Sequence, residues 1–169
     1  MKKTLYPLVV TLLFLTQPVL ATASNLSQTL VGEWGCTQNF APEKGINLSV
    51  KYIQLFTAQH NFTLDGSMKI TFTLEEMRQM FGNSSLDYLF EGSGSWSTQA
   101  ERLIIKTENA KMTPNNPLAQ QMHNAGIMDM NDLQEMQSKD EFIINSLTRD
   151  SLTLTHTEEG FTTQCSRTK

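Results

Sequence analysis

Few side chains in this chain of 169 residues stand at a spacing that does chemistry. The densest group is Met122, His123, Met128, Met130 and Met136. Thioethers are soft ligands, and in an exported protein such a group can take copper(I). The same flexible side chains also coat the underside of a helical lid and adapt to a core or a greasy ligand. The second use is the expected one, since Met77 and Met80 elsewhere follow helical spacing too. His60, His123 and His156 stand apart, with no His-x-x-x-His or Cys-x-x-Cys setting, so no metal site is expected. Asp129, Asp132 and Glu135 lack the alternating ligands and central glycine of a calcium loop. Glu75 and Glu76 are neighbours, but one reads as a solvated helix residue and the other as a helix cap. No nucleophile–base pair or paired carboxylates stand out, so the expectation is a non-enzymatic protein without a cofactor. His156 shares the phase of Leu152 and Leu154, and reads either as a strand-end residue or as a ligand contact.

Cys36 and Cys165 are the only thiols, which allows a single intramolecular pairing. A bridge would close a loop of about 130 residues and clamp the first strand to the last. The alternatives are two buried thiols or an intermolecular bond. Compartment favours the bridge. Lys2 and Lys3 precede an apolar stretch over 5–20 broken by Pro7 and Pro18, and Ala21-Thr22-Ala23 offers the small residues of a cleavage site. Residues 1–23 are therefore expected to be a signal peptide cut before Ser24, with residues 24–169 one exported domain, bacterial and periplasmic or secreted. The apolar stretch is short for a membrane span, and no cysteine follows it to carry a lipid, so no stable membrane anchor is expected. Without Lys2 and Lys3, 11 of the 13 basic residues remain against 17 acidic ones, a net charge of −6. That balance, with no Lys/Arg cluster, argues against nucleic acid as a partner.

These residues must be held by strands, because alternation dominates the chain. Phe62 and Leu64, then Met68, Ile70 and Phe72, share one face of a hairpin expected to turn at Asp65-Gly66-Ser67. Leu152 and Leu154 alternate with Ser151, Thr153, Thr155 and Thr157, core against water. A Glu158-Glu159-Gly160 turn leads to a last strand over 161–167. Further strands are expected over 30–36, 46–57, 86–97, 102–112 and 141–147, about eight in all, an antiparallel meander. Two helical insertions interrupt it. The first, about 73–82, has capping-box spacing at Thr73-Leu74-Glu75-Glu76, helical spacing at Leu74, Met77 and Phe81, and a stop at Gly82. The second, about 113–138, opens at Pro114 and Pro117, carries Leu118 and Met122, pauses at Gly126 and resumes with Leu133 and Met136.

Gly32-Glu33-Trp34, at the start of the first strand, matches the Gly-x-Trp signature of lipocalins. The chain resembles the bacterial lipocalin-like proteins across most of its length after residue 23. The resemblance implies an eight-stranded up-and-down barrel whose Trp closes one end and whose open end takes a small apolar ligand. It also implies a basic residue packed on that Trp, for which Arg167 and Arg149 are both candidates. Independently, glycine permits a tight bend and a large indole can plug a tapering barrel. Gly94-Ser95-Trp96 repeats the pattern and is expected to open a later strand. The avidin-like barrel is the alternative with the same strand count.

The expected fold class is therefore all-β, a single eight-stranded antiparallel up-and-down barrel, lipocalin-like, with two short helical insertions. Its inward apolar set would be Phe62, Leu64, Ile70, Phe72, Tyr88, Phe90, Leu152 and Leu154. The expected function is to hold a small apolar ligand against Phe72, Tyr88, Phe90, Met122, Met130 and His156. Gly32, Trp34, Gly94 and Trp96 would close the barrel, with residues 113–138 as lid. The competing functions are an interaction protein with a filled barrel, an inhibitor or envelope-assembly factor contacting a protein partner through 113–138, and a copper-handling protein.

Overall fold

A computed structural model describes residues 22–82, 84–126 and 139–168. Met128, Met130, Leu133 and Met136 fall outside these residues, as does most of the expected signal segment. Helix α1 (Thr22–Leu30) leads into β1 (Gly32–Glu43), β2 (Ile46–Phe56) and β3 (Asn61–Phe72). Helix α2 (Glu75–Phe81) precedes β4 (Leu86–Gln99) and β5 (Arg102–Pro114). Helix α3 (Pro117–Asn124) comes before β6 (Lys139–Leu147), β7 (Ser151–His156) and β8 (Thr162–Arg167). Each strand pairs antiparallel with the next and β8 returns to β1, so the sheet is a closed eight-stranded barrel.

Closure needs the seam between β1 and β8, a ladder of only four paired positions from Trp34↔Arg167 to Thr37↔Gln164. Cys36 lies directly opposite Cys165 in that ladder, and the two are disulfide-bonded with Cα atoms 4.0 Å apart. One end of the barrel is sealed by a dry core of Leu30, Trp34, Phe56, Phe62, Trp96, Leu103, Ile144, Leu152, Leu154 and both cysteines. The Arg167 guanidinium lies 4.2 Å over the Trp34 ring. It donates to the carbonyls of Val31 (2.9 Å), Thr29 (2.6 Å) and Arg149 (2.5 Å). Trp34 Nε1 donates to Leu30 O at 2.8 Å. Carbonyls at the end of α1 that lack helical partners are thus satisfied by one cation and one indole. Gly32 has φ +134°, and a side chain there would run into the Arg167 guanidinium.

Several local expectations give way to tertiary contacts. Asp65-Gly66-Ser67 is no turn: β3 runs straight through it, paired to β2 and β4 on both sides. Gly66 is small because a Cβ would stand 2.6 Å from the Lys51 carbonyl oxygen, Tyr52 Cβ and Phe90 Cζ. The β2–β3 turn lies instead at 57–60, where Thr57 N donates to Asn61 O and His60 takes a positive φ. The capping box at 73–76 does not form, although α2 does. Thr73 N is engaged by Gly45 O, and Leu74 serves as N-cap without a side-chain bond, packed over Gly45. Leu30, expected in the first strand, ends α1, a helix that the strand alternation hid. Gly94-Ser95-Trp96 opens no strand but sits inside β4 at a register shift, where Glu108 is the extra residue of β5.

Replacing both cysteines by serine is expected to lower stability by roughly 4–5 kcal/mol, the chain-entropy value for so long a loop, read from urea unfolding. Gly66→Val should cost at least about 2 kcal/mol by the same measurement, through overpacking against Tyr52 and Phe90.

Candidate functional site

The inward phase of the strands defines the candidate site, because a closed barrel offers its chemistry to whatever enters its lumen. Away from the sealed end, Ile70, Leu86, Tyr88 and Ala119 form a second buried cluster, with Met68, Phe72, Met112, Leu118 and Met122 packed against it. Helix α3 is held there by sequence-local chemistry. Asn116 caps it, accepting from Ala119 N at 2.8 Å, Pro117 supplies the first turn, and Asn116 Nδ2 donates to Ser85 O at 2.8 Å. The carboxamide thus ties the helix to the start of β4, and Ala119 is small enough to be fully buried.

Phe72, Tyr88 and Met122 of the sequence-derived site come together in this cluster. Phe72 also stacks on Phe81 of α2, with centroids 4.9 Å apart. Phe90 lies further along β4, 6.3 Å from the Tyr52 ring across Gly66. Met130 is outside the described residues. Trp34 and Trp96 both lie in the sealed core. Trp96 rests edge-on against Phe56 and donates from Nε1 to Thr57 O at 3.2 Å.

His156 stands apart from the aromatic and methionine cluster. Its ring stacks on Phe161 at 4.9 Å and meets Phe142 edge-on at 5.1 Å. Nδ1 accepts the Glu159 amide at 3.1 Å, which leaves the proton on Nε2, facing Asp140 Oδ1 at 3.5 Å. Both ring nitrogens are therefore engaged in holding the β7–β8 turn against β6. Among the described residues, no three His, Cys, Asp or Glu side chains converge on a metal-sized site.

The inward apolar set expected from the sequence leaves out the polar part of the lumen. Gln38, Gln54 and Thr163 are buried, as is His156, and all lie in the inward phase. Thr163 Oγ1 donates to Gln38 Oε1 at 3.4 Å, and Thr163 also bonds the Tyr52 hydroxyl. Burial pushes the Tyr52 hydroxyl up to about 12, with the Thr163 bond offsetting part of the rise. Burial raises Tyr88 as well. The signal was in the phase: Gln38 is two residues from Cys36, Thr163 two from Cys165, and Gln54 two from Phe56. Outside the barrel, Thr63, Asp65, Glu91, Ser93, Asn109 and Lys111 help line a cleft of about 300 Å³ across β3–β5. It mixes charges of both signs.

Fold and site together define a closed antiparallel β-barrel with a sealed end, a disulfide seam and a half-polar, half-apolar lumen. No family model and no curated protein sequence matches the chain. Among the described residues, no helix is long and apolar enough to cross a membrane.

The Tyr52 environment has a pH signature. A phenol whose folded pKa lies above its unfolded value contributes stability that is complete below about pH 10 and is lost as pH rises towards about 12. The unfolding free energy from urea titrations should fall across that window, by roughly 2–3 kcal/mol for Tyr52, with Tyr88 adding in the same direction. Tyr52→Phe should flatten the decline.

Proposed function

We propose that this protein is an exported, non-enzymatic binding protein of lipocalin-like type that takes a small, largely apolar molecule into its lumen. One observation carries the proposal. Leu48, Val50, Met68, Phe90 and Met112 point into a closed barrel, yet each remains only half-buried. The sealed-end residues Trp34, Phe62, Leu103 and Leu152 are at most 1% exposed. Inward side chains of a closed barrel reach solvent only through the lumen or its mouth. Apolar surface left open at such a place is a docking surface. The flexible thioethers of Met68, Met112 and Met122 suit it, since they repack around guests of different outline.

Two further features favour the lipocalin-like comparison. Gly32-Glu33-Trp34 enters the first strand as that family's signature does, and Arg167 rather than Arg149 is the cation laid on the Trp. Export is supported by the Lys2-Lys3-led apolar segment and by a disulfide that persists in oxidising compartments. Helix α3, away from the sealed core, belongs to the segment proposed as lid, so a ligand would pass beside it.

Native mass spectrometry of the disulfide-intact protein, purified without detergent, tests this directly. A reproducible mass excess that leaves on denaturation is the expected result. A bare mass, together with no fluorescence gain from the apolar probe N-phenyl-1-naphthylamine, would overturn the proposal.

A further inference from the structure

The polar side chains of the lumen lie where the sealed core ends. Tyr52 and Leu64 pack against that core, Thr163 pairs with Leu154 inside it, and Gln54 sits opposite Trp34 and Leu64 in register. A ligand entering beside α3 therefore passes half-buried Met68, Met112 and Phe90 first. It meets Gln38, Gln54, Tyr52 and Thr163 last. A barrel that only needed filling would gain more from aliphatic side chains at these positions, because a buried carboxamide must find partners for several donors and acceptors.

Charge is distributed just as unevenly. Lys51, Lys69, Lys111, Asp65, Glu91 and Lys106 all occupy the outward phase of β2–β5. Among the described strand residues, the charged groups in the inward phase are Arg167, Asp140 and Glu43, the last exposed at the open rim opposite Ile46. Arg167 is spent on Trp34 and three carbonyls below the sealed core. Asp140 is held against His156. At the depth of Gln38, Gln54 and Thr163 a carboxylate on a ligand would find no cation, and an ammonium no unengaged carboxylate. The raised Tyr52 hydroxyl reports the same penalty on negative charge at that depth.

We infer that the lumen selects an uncharged amphipathic ligand, seating a neutral hydrogen-bonding group on Gln38, Gln54, Tyr52 and Thr163 with its apolar body extending towards α3. An amide, alcohol or ketone head on a hydrocarbon body has the required chemistry. The inference deepens the binding function proposed above and rests on it. Gln38 and Gln54 set head-group preference, and the methionine and aromatic wall supplies affinity without discriminating.

The test uses the disulfide-intact protein at about pH 7, where a carboxylic acid is ionised and an amine protonated. Dodecanamide, 1-dodecanol, dodecanoate and dodecylamine compete for bound N-phenyl-1-naphthylamine. The amide and the alcohol are expected to displace the probe at concentrations at least about tenfold below the two charged compounds, because a buried unpaired charge costs far more than a satisfied neutral group. In the Gln38→Leu, Gln54→Leu double variant, the probe should still bind. The amide should then lose its advantage over hexadecane-like, headless competitors such as dodecane. Dodecanoate or dodecylamine competing as well as the neutral pair would overturn the head-group inference while leaving the binding function standing. Absence of probe binding to the parent protein, with no ligand of the series retained in native mass spectrometry, would overturn both.

Discussion

Everything in this molecule depends on one seam. A sheet of this size leaves two edges unless its first and last strands meet, and β1 and β8 meet over four positions only. So short a ladder is held by what surrounds it. The Cys36–Cys165 bond crosses it, and Arg167, at its last paired position, ties β8 to the end of α1 and to the Trp34 ring. A desolvated cation–π contact contributes on the order of 2 kcal/mol, and the bonds to the α1 carbonyls satisfy groups that would otherwise be buried without partners. Remove the guanidinium, and the α1 carbonyls lose their donor and the Trp34 ring its cation, at the end of the barrel where the seam closes.

With one end sealed, chemistry is confined to the other. The long strands β2 to β5, of 11 to 14 residues, rise past the six-residue β7 and β8. β6 pairs with β5 only from Arg102 to Lys106. The lumen is therefore asymmetric: a tall wall carries the methionines and aromatics, and a shorter one carries His156 between Phe142 and Phe161. Helix α3 leans on the tall wall through Ala119 and its Asn116 cap. The polar groups between the sealed core and this mouth are the least economical part of the structure, since burial of Gln38 and Gln54 opposes folding unless it serves a guest or a network.

Much of the architecture was legible in local pattern. Alternation located the strands, though it broke β3 in two at Asp65-Gly66, Pro117 and Gly126 bracketed α3, and the presence of two cysteines pointed to one bridge. The failures share a cause. Asp65-Gly66 carries strong turn chemistry, yet Gly66 is there because Tyr52 and Phe90 close over it from neighbouring strands. Thr73 carries capping chemistry, yet its amide is already taken by Gly45. α1 is short, with Leu26 and Leu30 one turn apart, and it packs both leucines on the barrel end while Arg167 bonds the Thr29 carbonyl.

What the chain by itself determined was its class: the sequential antiparallel order, the inward phase and the thiol pairing follow from period-two alternation and composition, which are local quantities. Only the tertiary structure decided how the inward phase divides into a sealed core, a polar floor and an open apolar wall. It also decided which arginine lies on Trp34, and that His156 holds a turn. Those outcomes turn on barrel closure and stagger, which bring residues more than a hundred positions apart into contact, and no local spacing encodes that juxtaposition.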